Sequence, residues 1–143
     1  MKWLLRWETF ALGSALFAGL TALLGKLGVA QVSSNLATLI RTLTVLILTA
    51  VVLSWRQEWQ RPGTIQASTW AFLILSGITT GLSWLCYYHA LQLGPVSKVA
   101  SIDKLSVAFV ILLGVLFLGE KLTWPVVLGG GLILLGAIIM VAF

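Results

Sequence analysis

The stretch VAFVILLGVLFLGEKLTWPVVLGGGLILLGAIIMVAF, residues 107–143, contains two long apolar runs separated by the polar segment GEKLT, residues 119–123. A helix rises about 1.5 Å per residue, so a run of about 20 apolar residues can cross roughly 30 Å of hydrocarbon. Thr123 can cap the second helix, and Pro125 suits the first turn of that helix. The stretch therefore predicts two transmembrane helices joined by a tight turn.

The remainder of the chain repeats this pattern. Of the 143 residues, 59% are hydrophobic and only 9% are charged, whereas soluble domains carry roughly 25% charged residues. Connections rich in charge, Gly and Pro separate the apolar runs. We predict an all-α fold, a polytopic transmembrane helix bundle that forms one domain over residues 1–143. Its five predicted spans are 7–25, 33–55, 68–93, 98–118 and 123–143.

Composition and motifs argue against several classes of protein. The basic residues are scattered singly, so the net charge of +5 predicts no nucleic-acid partner. Cys86 is the single cysteine and lies in an apolar run, which excludes a disulfide framework and favours a packing role. The chain has no nucleophile–base set, no metal-spaced His/Cys cluster and no phosphate-binding Gly loop. We therefore expect no enzymatic activity, no cofactor and no metal.

The distribution of Lys and Arg between the two ends of the spans predicts the orientation of the chain. The end that includes the N-terminus carries five such residues and the opposite end carries two. They are Lys2, Arg6, Arg56, Arg61 and Lys121 against Lys26 and Lys98. This bias predicts a cytoplasmic N-terminus and an external C-terminus.

Three charged residues fall inside the predicted spans: Arg41, Asp103 and Lys104. A charge at the bilayer centre costs roughly 2.5–3.5 kcal/mol on insertion scales, so such groups should face the bundle interior, water or each other. All three lie about 8–12 Å from the outer ends of their helices. We predict that they line a substrate path, with Arg41 and Asp103 as an ion pair. The alternative is that all three reach toward the lipid headgroups, as we expect of Lys26 and Lys98.

Further candidate residues surround this layer. Trp84, Tyr87 and Tyr88, at spacing i, i+3 and i+4, form an aromatic stripe that predicts a wall for an organic substrate; interfacial anchoring and packing are the alternative. His89, Glu8 and Asp103 are candidates for proton coupling. For His89 and Glu8 the simpler interpretation is a polar group near the interface.

Small residues mark possible sites of close helix packing. GITTG, residues 77–81, has the GxxxG spacing, and Ala11, Ala15 and Gly19 repeat every four residues. This spacing is common in membrane helices and is compatible both with packing inside the chain and with dimerisation.

Three elements of the chain resemble one EamA-type unit of the drug/metabolite transporter superfamily. They are Arg41 in the second span, YYHALQLGPVSKVA (87–100) and FLGEKLTWPVVLGGGLILLGAII (117–139), of which the last is the most specific. The segment IDKLS departs from the family pattern, which typically has a Pro near Val107. The resemblance extends from about residue 10 to residue 141.

This resemblance implies a multi-pass protein of the bacterial inner membrane that forms one half of a ten-helix inverted-repeat transporter. It implies a homodimer, or pairing with a related five-helix half, around a path for a small organic solute. Two basic groups against one acid suggest an anionic or zwitterionic substrate. The expected partners are the lipid bilayer and this small molecule. The alternatives are a non-transporting membrane subunit and a component of a flippase for lipid-linked sugars.

Overall fold

The computed structural model describes residues 7–143, and this part of the chain consists of helices and connections without strands. Lys2 and Arg6, which contribute to the charge bias, lie outside the described residues. The helices are α1 (Trp7–Gly28), α2 (Ser34–Trp55), α3 (Ala67–Leu93), α4 (Val96–Asp103), α5 (Ser106–Leu118) and α6 (Trp124–Ala142).

Five segments are long and apolar enough to cross a membrane, because α4 and α5 together make the single span Val96–Leu118. Their Leu, Ile, Val and Phe side chains are largely exposed, as expected where lipid rather than water surrounds the protein. The predicted all-α class with five membrane-spanning helices is confirmed. The first helix ends at Gly28, three residues beyond the predicted boundary.

The fourth span was predicted as one continuous helix, and here the structure differs. The amide nitrogens of Lys104 and Leu105 bond to carbonyls three residues back, at 3.1 and 2.9 Å, and so do those of Val107 and Ala108, at 3.1 and 3.0 Å. This tighter 3₁₀ pattern separates α4 from α5. The interruption lies close to the position at which the family resemblance leads one to expect Pro, although residue 107 is Val.

The described chain forms two compact units. Unit one comprises the described residues up to Leu23 together with Leu93–Phe143, and unit two comprises Leu24–Gln92. In unit one, α6 packs against both α4 and α5. A Cβ atom on Gly130 of α6 would approach the Cδ1 atom of Ile111 to 2.8 Å, so glycine permits the close contact with α5.

Two side chains of α4 bond to the last turns of α6. The ammonium group of Lys98 donates to the carbonyl oxygen of Val141 at 3.2 Å, and the Ser101 hydroxyl lies 3.1 Å from the sulfur of Met140. The last carbonyls of a helix lack partners inside it and carry partial negative charge. Lys98 thus stabilises the end of α6, whereas we expected it to reach toward headgroups.

The connection between α5 and α6 depends on two glycines. Gly119 has φ of 67°, in the left-handed region, and the amide nitrogens of Gly119 and Glu120 both bond to the carbonyl of Gly114. The Glu120 carboxylate folds back over Gly114, where an added Cβ would meet its Oε2 at 2.9 Å. Thr123 occupies the N-cap of α6, as predicted, but its side chain makes no capping hydrogen bond; Pro125 lies in the first turn, as predicted.

The small-residue motifs are not packing sites within the described chain. A Cβ atom built on Gly19, Gly77 or Gly81 would meet nothing within 4 Å. Neither the GITTG segment of α3 nor the Gly19 position of α1 is therefore a point of close helix contact here. These glycines therefore make no close contact within their own units, and both roles left open by the sequence stay predictions.

Candidate functional site

Three segments of unit two meet around Tyr88 and Leu91, near the end of α3. Tyr88 is only 6% exposed and Leu91 is fully buried. Gly25 of α1 lies against both side chains: a Cβ there would be 3.4 Å from the Tyr88 hydroxyl and 3.5 Å from the Leu91 Cδ1 atom. The absence of a side chain at residue 25 allows the tyrosine ring to lie close to the α1 backbone.

Hydrogen bonds hold the end of α1 and the following connection to the end of α3. The Lys26 ammonium donates to the Leu91 carbonyl at 2.5 Å. The Gln92 amide donates to the carbonyls of Val29 and Val32 at 3.2 and 2.8 Å. Lys26 thus neutralises the negative end of α3. The sequence predicted instead that Lys26 would reach toward the headgroups. These bonds fix the helix end that carries Tyr88.

Arg41 of α2 lies over two aromatic rings of α3. Its guanidinium carbon is 3.9 Å from the centroid of the Trp84 ring and 5.6 Å from that of Tyr88. Trp84 and Tyr88 are four residues apart, so they lie on one face of the helix, one turn from each other. A cation over an aromatic face is stabilised by the ring quadrupole, by up to about 2 kcal/mol where water is excluded.

The N–H donors of the Arg41 side chain have no acceptor in unit two. Within the described residues of unit two, Arg41 makes no hydrogen bond or ion pair; its electrostatic contacts there are the two rings. A guanidinium carries five N–H donors directed outward in its own plane, so one that lies over a ring can still bind a carboxylate or phosphate in that plane.

The threonine hydroxyls of α2 are already satisfied. The hydroxyls of Thr38, Thr42, Thr44 and Thr49 each donate to a carbonyl four residues back, at 2.8–2.9 Å. Such bonds satisfy a hydroxyl proton inside a hydrophobic environment. Arg41 is therefore the group of α2 with unused donors at membrane depth.

The remaining aromatic candidates of α3 lie beside this cluster. The rings of Tyr87 and Tyr88 meet edge to face, with centroids 6.4 Å apart and an interplanar angle of 82°. Tyr87 is half-buried, whereas His89 is exposed. The predicted aromatic stripe thus divides: Trp84 and Tyr88 contact Arg41, and Tyr87 contacts the edge of Tyr88.

The other candidates belong to unit one. Glu8 is half-buried in the first turn of α1. Asp103 and Lys104 lie at the interruption between α4 and α5, with the lysine nitrogen 3.9 Å from a carboxylate oxygen of the aspartate. The predicted pairing of Arg41 with Asp103 stays a prediction. No group of three or more His, Cys, Asp or Glu side chains arranged to hold a metal occurs among residues 7–143.

Sequence reasoning missed three residues of unit two. Gly25, Lys26 and Gln92 hold the end of α3, yet the sequence places Lys26 in a connection and assigns no role to the other two. The sequence offers one signal for Gly25: it lies four residues before Val29, the apolar residue just past the end of α1, and both are buried. Lys26 and Gln92 donate to backbone carbonyls 60 or more residues away, which leave no sequence signature.

Comparison with known proteins places these features in a family. The sequence profile of the EamA-like transporter family matches residues 5–142, nearly the whole chain. The chain belongs to this family. A protein of Sinorhizobium sp described as an uncharacterized transporter in the cobO 3' region is 49% identical over 137 residues. That match covers 96% of this chain and 97% of the relative. No solved structure matches the chain.

Membership of the EamA-like transporter family confirms the resemblance drawn from the sequence. Together with five membrane-spanning helices, it identifies a multi-pass membrane protein of a transporter family. The relative is of nearly the same length as this chain, so its match is also confined to one five-helix unit.

Proposed function

We propose that this EamA-like chain moves a small organic anion or zwitterion across the bacterial inner membrane, by alternating access of two five-helix units. The observation that carries the proposal is Arg41, a cation at membrane depth that lies over two aromatic rings and has unused donors. Charged residues inside membrane spans are costly and are retained mainly for function.

The chemistry of this cluster favours a carboxylate beside an apolar or aromatic body. The guanidinium supplies two parallel N–H donors, which match the two oxygens of a carboxylate. The rings of Trp84 and Tyr88 supply an apolar surface next to them. Arg41 is seven residues from the start of α2, about 10 Å along the helix, so the anion would bind below the membrane surface.

Contacts within unit two support the proposal of a rigid binding cluster. Tyr88 is buried against Gly25, and the bonds from Lys26 and Gln92 hold the end of α3. Preorganised groups bind a ligand without the entropic cost of ordering them first. The substrate cluster thus consists of Arg41, Trp84 and Tyr88, with Tyr87 at its edge.

The test is transport by the purified full-length protein in liposomes. The probes are small monocarboxylates and amino acids with aromatic or branched bodies, each paired with its neutral amide. We expect saturable uptake of at least one acid and not of its amide. Arg41→Gln should reduce that uptake at least tenfold at wild-type protein levels, and Arg41→Lys should restore part of it, because lysine keeps the charge but not the planar donors.

The control is Arg56→Gln, which removes a cation outside the spans, in an exposed ion pair with Glu58 at 2.9 Å. This variant should transport like the wild type. Equal uptake of acids and amides, or an Arg41→Gln protein with unchanged uptake, would refute the assignment of Arg41 to an anion site. A preparation that moves none of the probes would favour the non-transporting alternative.

A further inference from the structure

Tyr88 carries a hydroxyl group for which unit two provides no hydrogen-bond partner. The residue is only 6% exposed, and its side-chain contacts in unit two are those of the ring with Arg41 and Tyr87 and of its edge with Gly25. A polar group with little access to water and no partner costs free energy. Phenylalanine would fill the same space without this cost, so packing does not account for the hydroxyl.

The hydroxyl of Tyr88 lies at the rim of a ring that Arg41 contacts. The guanidinium carbon of Arg41 is 5.6 Å from the centroid of that ring. A carboxylate bound in the guanidinium plane places its oxygens about 2.7–2.9 Å from the nitrogens, and a hydrogen bond to the tyrosine oxygen spans about 2.7–2.8 Å. A polar group on the α- or β-carbon of a small acid held by Arg41 is therefore within reach of the Tyr88 hydroxyl.

The charges of unit two indicate that this second polar group is neutral. Glu58 is the only acid in Leu24–Gln92, and it forms an ion pair with Arg56 at 2.9 Å, outside the spans. An ammonium group on the ligand would therefore lie near the positive charge of Arg41 with no counter-charge in unit two. A hydroxyl carries no charge, and it can both donate to and accept from the phenol group of Tyr88.

We propose that Arg41 and Tyr88 together select a small hydroxy acid, a monocarboxylate with a hydroxyl on its α- or β-carbon. The inference rests on the anion site proposed at Arg41 and narrows its ligand from any anion or zwitterion to this class. Arg41 binds the carboxylate, the Tyr88 hydroxyl bonds to the ligand hydroxyl, and the Trp84 ring contacts the apolar body. Tyr88 is thus the residue that determines specificity.

The test is equilibrium binding to the purified full-length protein in lipid nanodiscs, with three probes that share one aromatic body. Phenylpropionate carries only the carboxylate, phenyllactate adds an α-hydroxyl, and phenylalanine has an α-ammonium in its place. We expect phenyllactate to bind about tenfold more tightly than either of the others, because it alone pairs the buried hydroxyl without adding a charge. Equal affinities for the three probes, or tighter binding of phenylalanine, would overturn the proposal.

Removal of the hydroxyl alone should abolish this preference. In Tyr88→Phe the affinity for phenylpropionate should stay within about twofold of the wild type, and that for phenyllactate should fall to the same level, a loss of about tenfold. Arg41→Gln should instead weaken the binding of all three probes, because each carries the carboxylate. A Tyr88→Phe protein that still prefers phenyllactate would refute the role of this residue.

The unfolding equilibrium without ligand gives a readout that a purely structural tyrosine would not share. Tyr88→Phe should raise the ratio of folded to unfolded protein in SDS mixed micelles about two- to fivefold, since it removes an unpaired hydroxyl. Thr38→Val is the matched control: Thr38 is also 6% exposed, but its hydroxyl donates to the Ser34 carbonyl at 2.8 Å. This variant should not raise the ratio and should keep the preference for phenyllactate. A destabilised Tyr88→Phe protein would show that the hydroxyl is already bonded and would overturn the proposal.

Failure of this selectivity and failure of the proposed transport are distinguishable, because the binding measurement requires no movement of the probe. A protein that prefers phenyllactate through Tyr88 but moves none of the probes would support the selectivity and refute transport. A protein that moves acids through Arg41 yet binds phenylpropionate and phenyllactate equally would support transport and refute the role of Tyr88. Absence of binding of all three probes would overturn both the anion site and its selectivity.

Discussion

The guanidinium carbon of Arg41 lies 3.9 Å from the centroid of the Trp84 ring. This contact joins α2 to α3 within unit two. A cation that must remain in a low-dielectric environment depends on such a partner more than a cation in water does. The contact is therefore expected to contribute both to the stability of unit two and to the position of the proposed anion site.

Replacement of the Trp84 ring should destabilise the protein through Arg41. We expect Trp84→Leu to lower the free energy of unfolding by about 1–2 kcal/mol beyond the loss of packing, and Trp84→Phe to lower it less, because phenylalanine keeps an aromatic face. Reversible unfolding by SDS in mixed micelles measures this quantity. Trp70→Leu, on the same helix but 43% exposed, is the control. An equal loss for both leucine variants would contradict a specific role of the Arg41 contact.

The hydrogen bond from Lys98 should protect the end of α6 by more than the effect of its charge alone. Lys98→Met removes the donor to the Val141 carbonyl, so the end of α6 should exchange its amide hydrogens faster and the protein should lose about 0.5–1 kcal/mol of stability. Hydrogen exchange resolved to the last turn of α6 is the measurement. Lys121→Met removes a charge from the exposed α5–α6 connection and should leave this exchange unchanged. Unaltered protection in Lys98→Met would show that the bond adds nothing.

A side chain at residue 114 should compete with the Glu120 carboxylate for the same space. A Cβ at residue 114 would lie 2.9 Å from the Oε2 atom at the end of the flexible Glu120 side chain, so Gly114→Ala should displace that carboxylate and stabilise the protein by less than the roughly 1 kcal/mol that alanine gains over glycine inside a helix. Glu120→Ala should restore the full gain, which a double-mutant cycle measures. Gly129→Ala is the control, because its Cβ meets nothing within 4 Å and alanine favours helix. Additive effects of Gly114→Ala and Glu120→Ala would refute the steric explanation.

Hydropathy and spacing predict the spans of this protein well, because a helix in lipid must be long, apolar and internally bonded. They also single out Arg41, Trp84 and Tyr88, since a charge and aromatic groups inside such spans are conspicuous. Hydropathy and spacing do not predict the contact of Arg41 with Trp84 and Tyr88, because that contact depends on the orientation of α2 and α3 about their own axes. The interruption after Asp103 was missed because the segment contains neither Pro nor Gly.

Val107 should tolerate proline better than a residue deeper in α5. It is the second residue of α5, and its amide bonds only to the Lys104 carbonyl in the 3₁₀ turn. Proline is acceptable in the first turn of a helix and costs about 3 kcal/mol or more in its interior. Val107→Pro should therefore keep most of the folded protein in the membrane, whereas Val110→Pro should lose it. Folded yield and unfolding free energy measure both, and equal losses would contradict an interruption at residues 104–105.

The predicted orientation can be tested with single cysteines in a Cys86→Ser chain. The exposed residues Gln60 and Gln31 lie in the connections after α2 and after α1, on opposite sides of the membrane. The charge bias predicts that Gln60→Cys is labelled by an impermeant maleimide only from the cytoplasm and Gln31→Cys only from outside. Labelling of each cysteine from both sides would demonstrate dual insertion and would refute the predicted orientation.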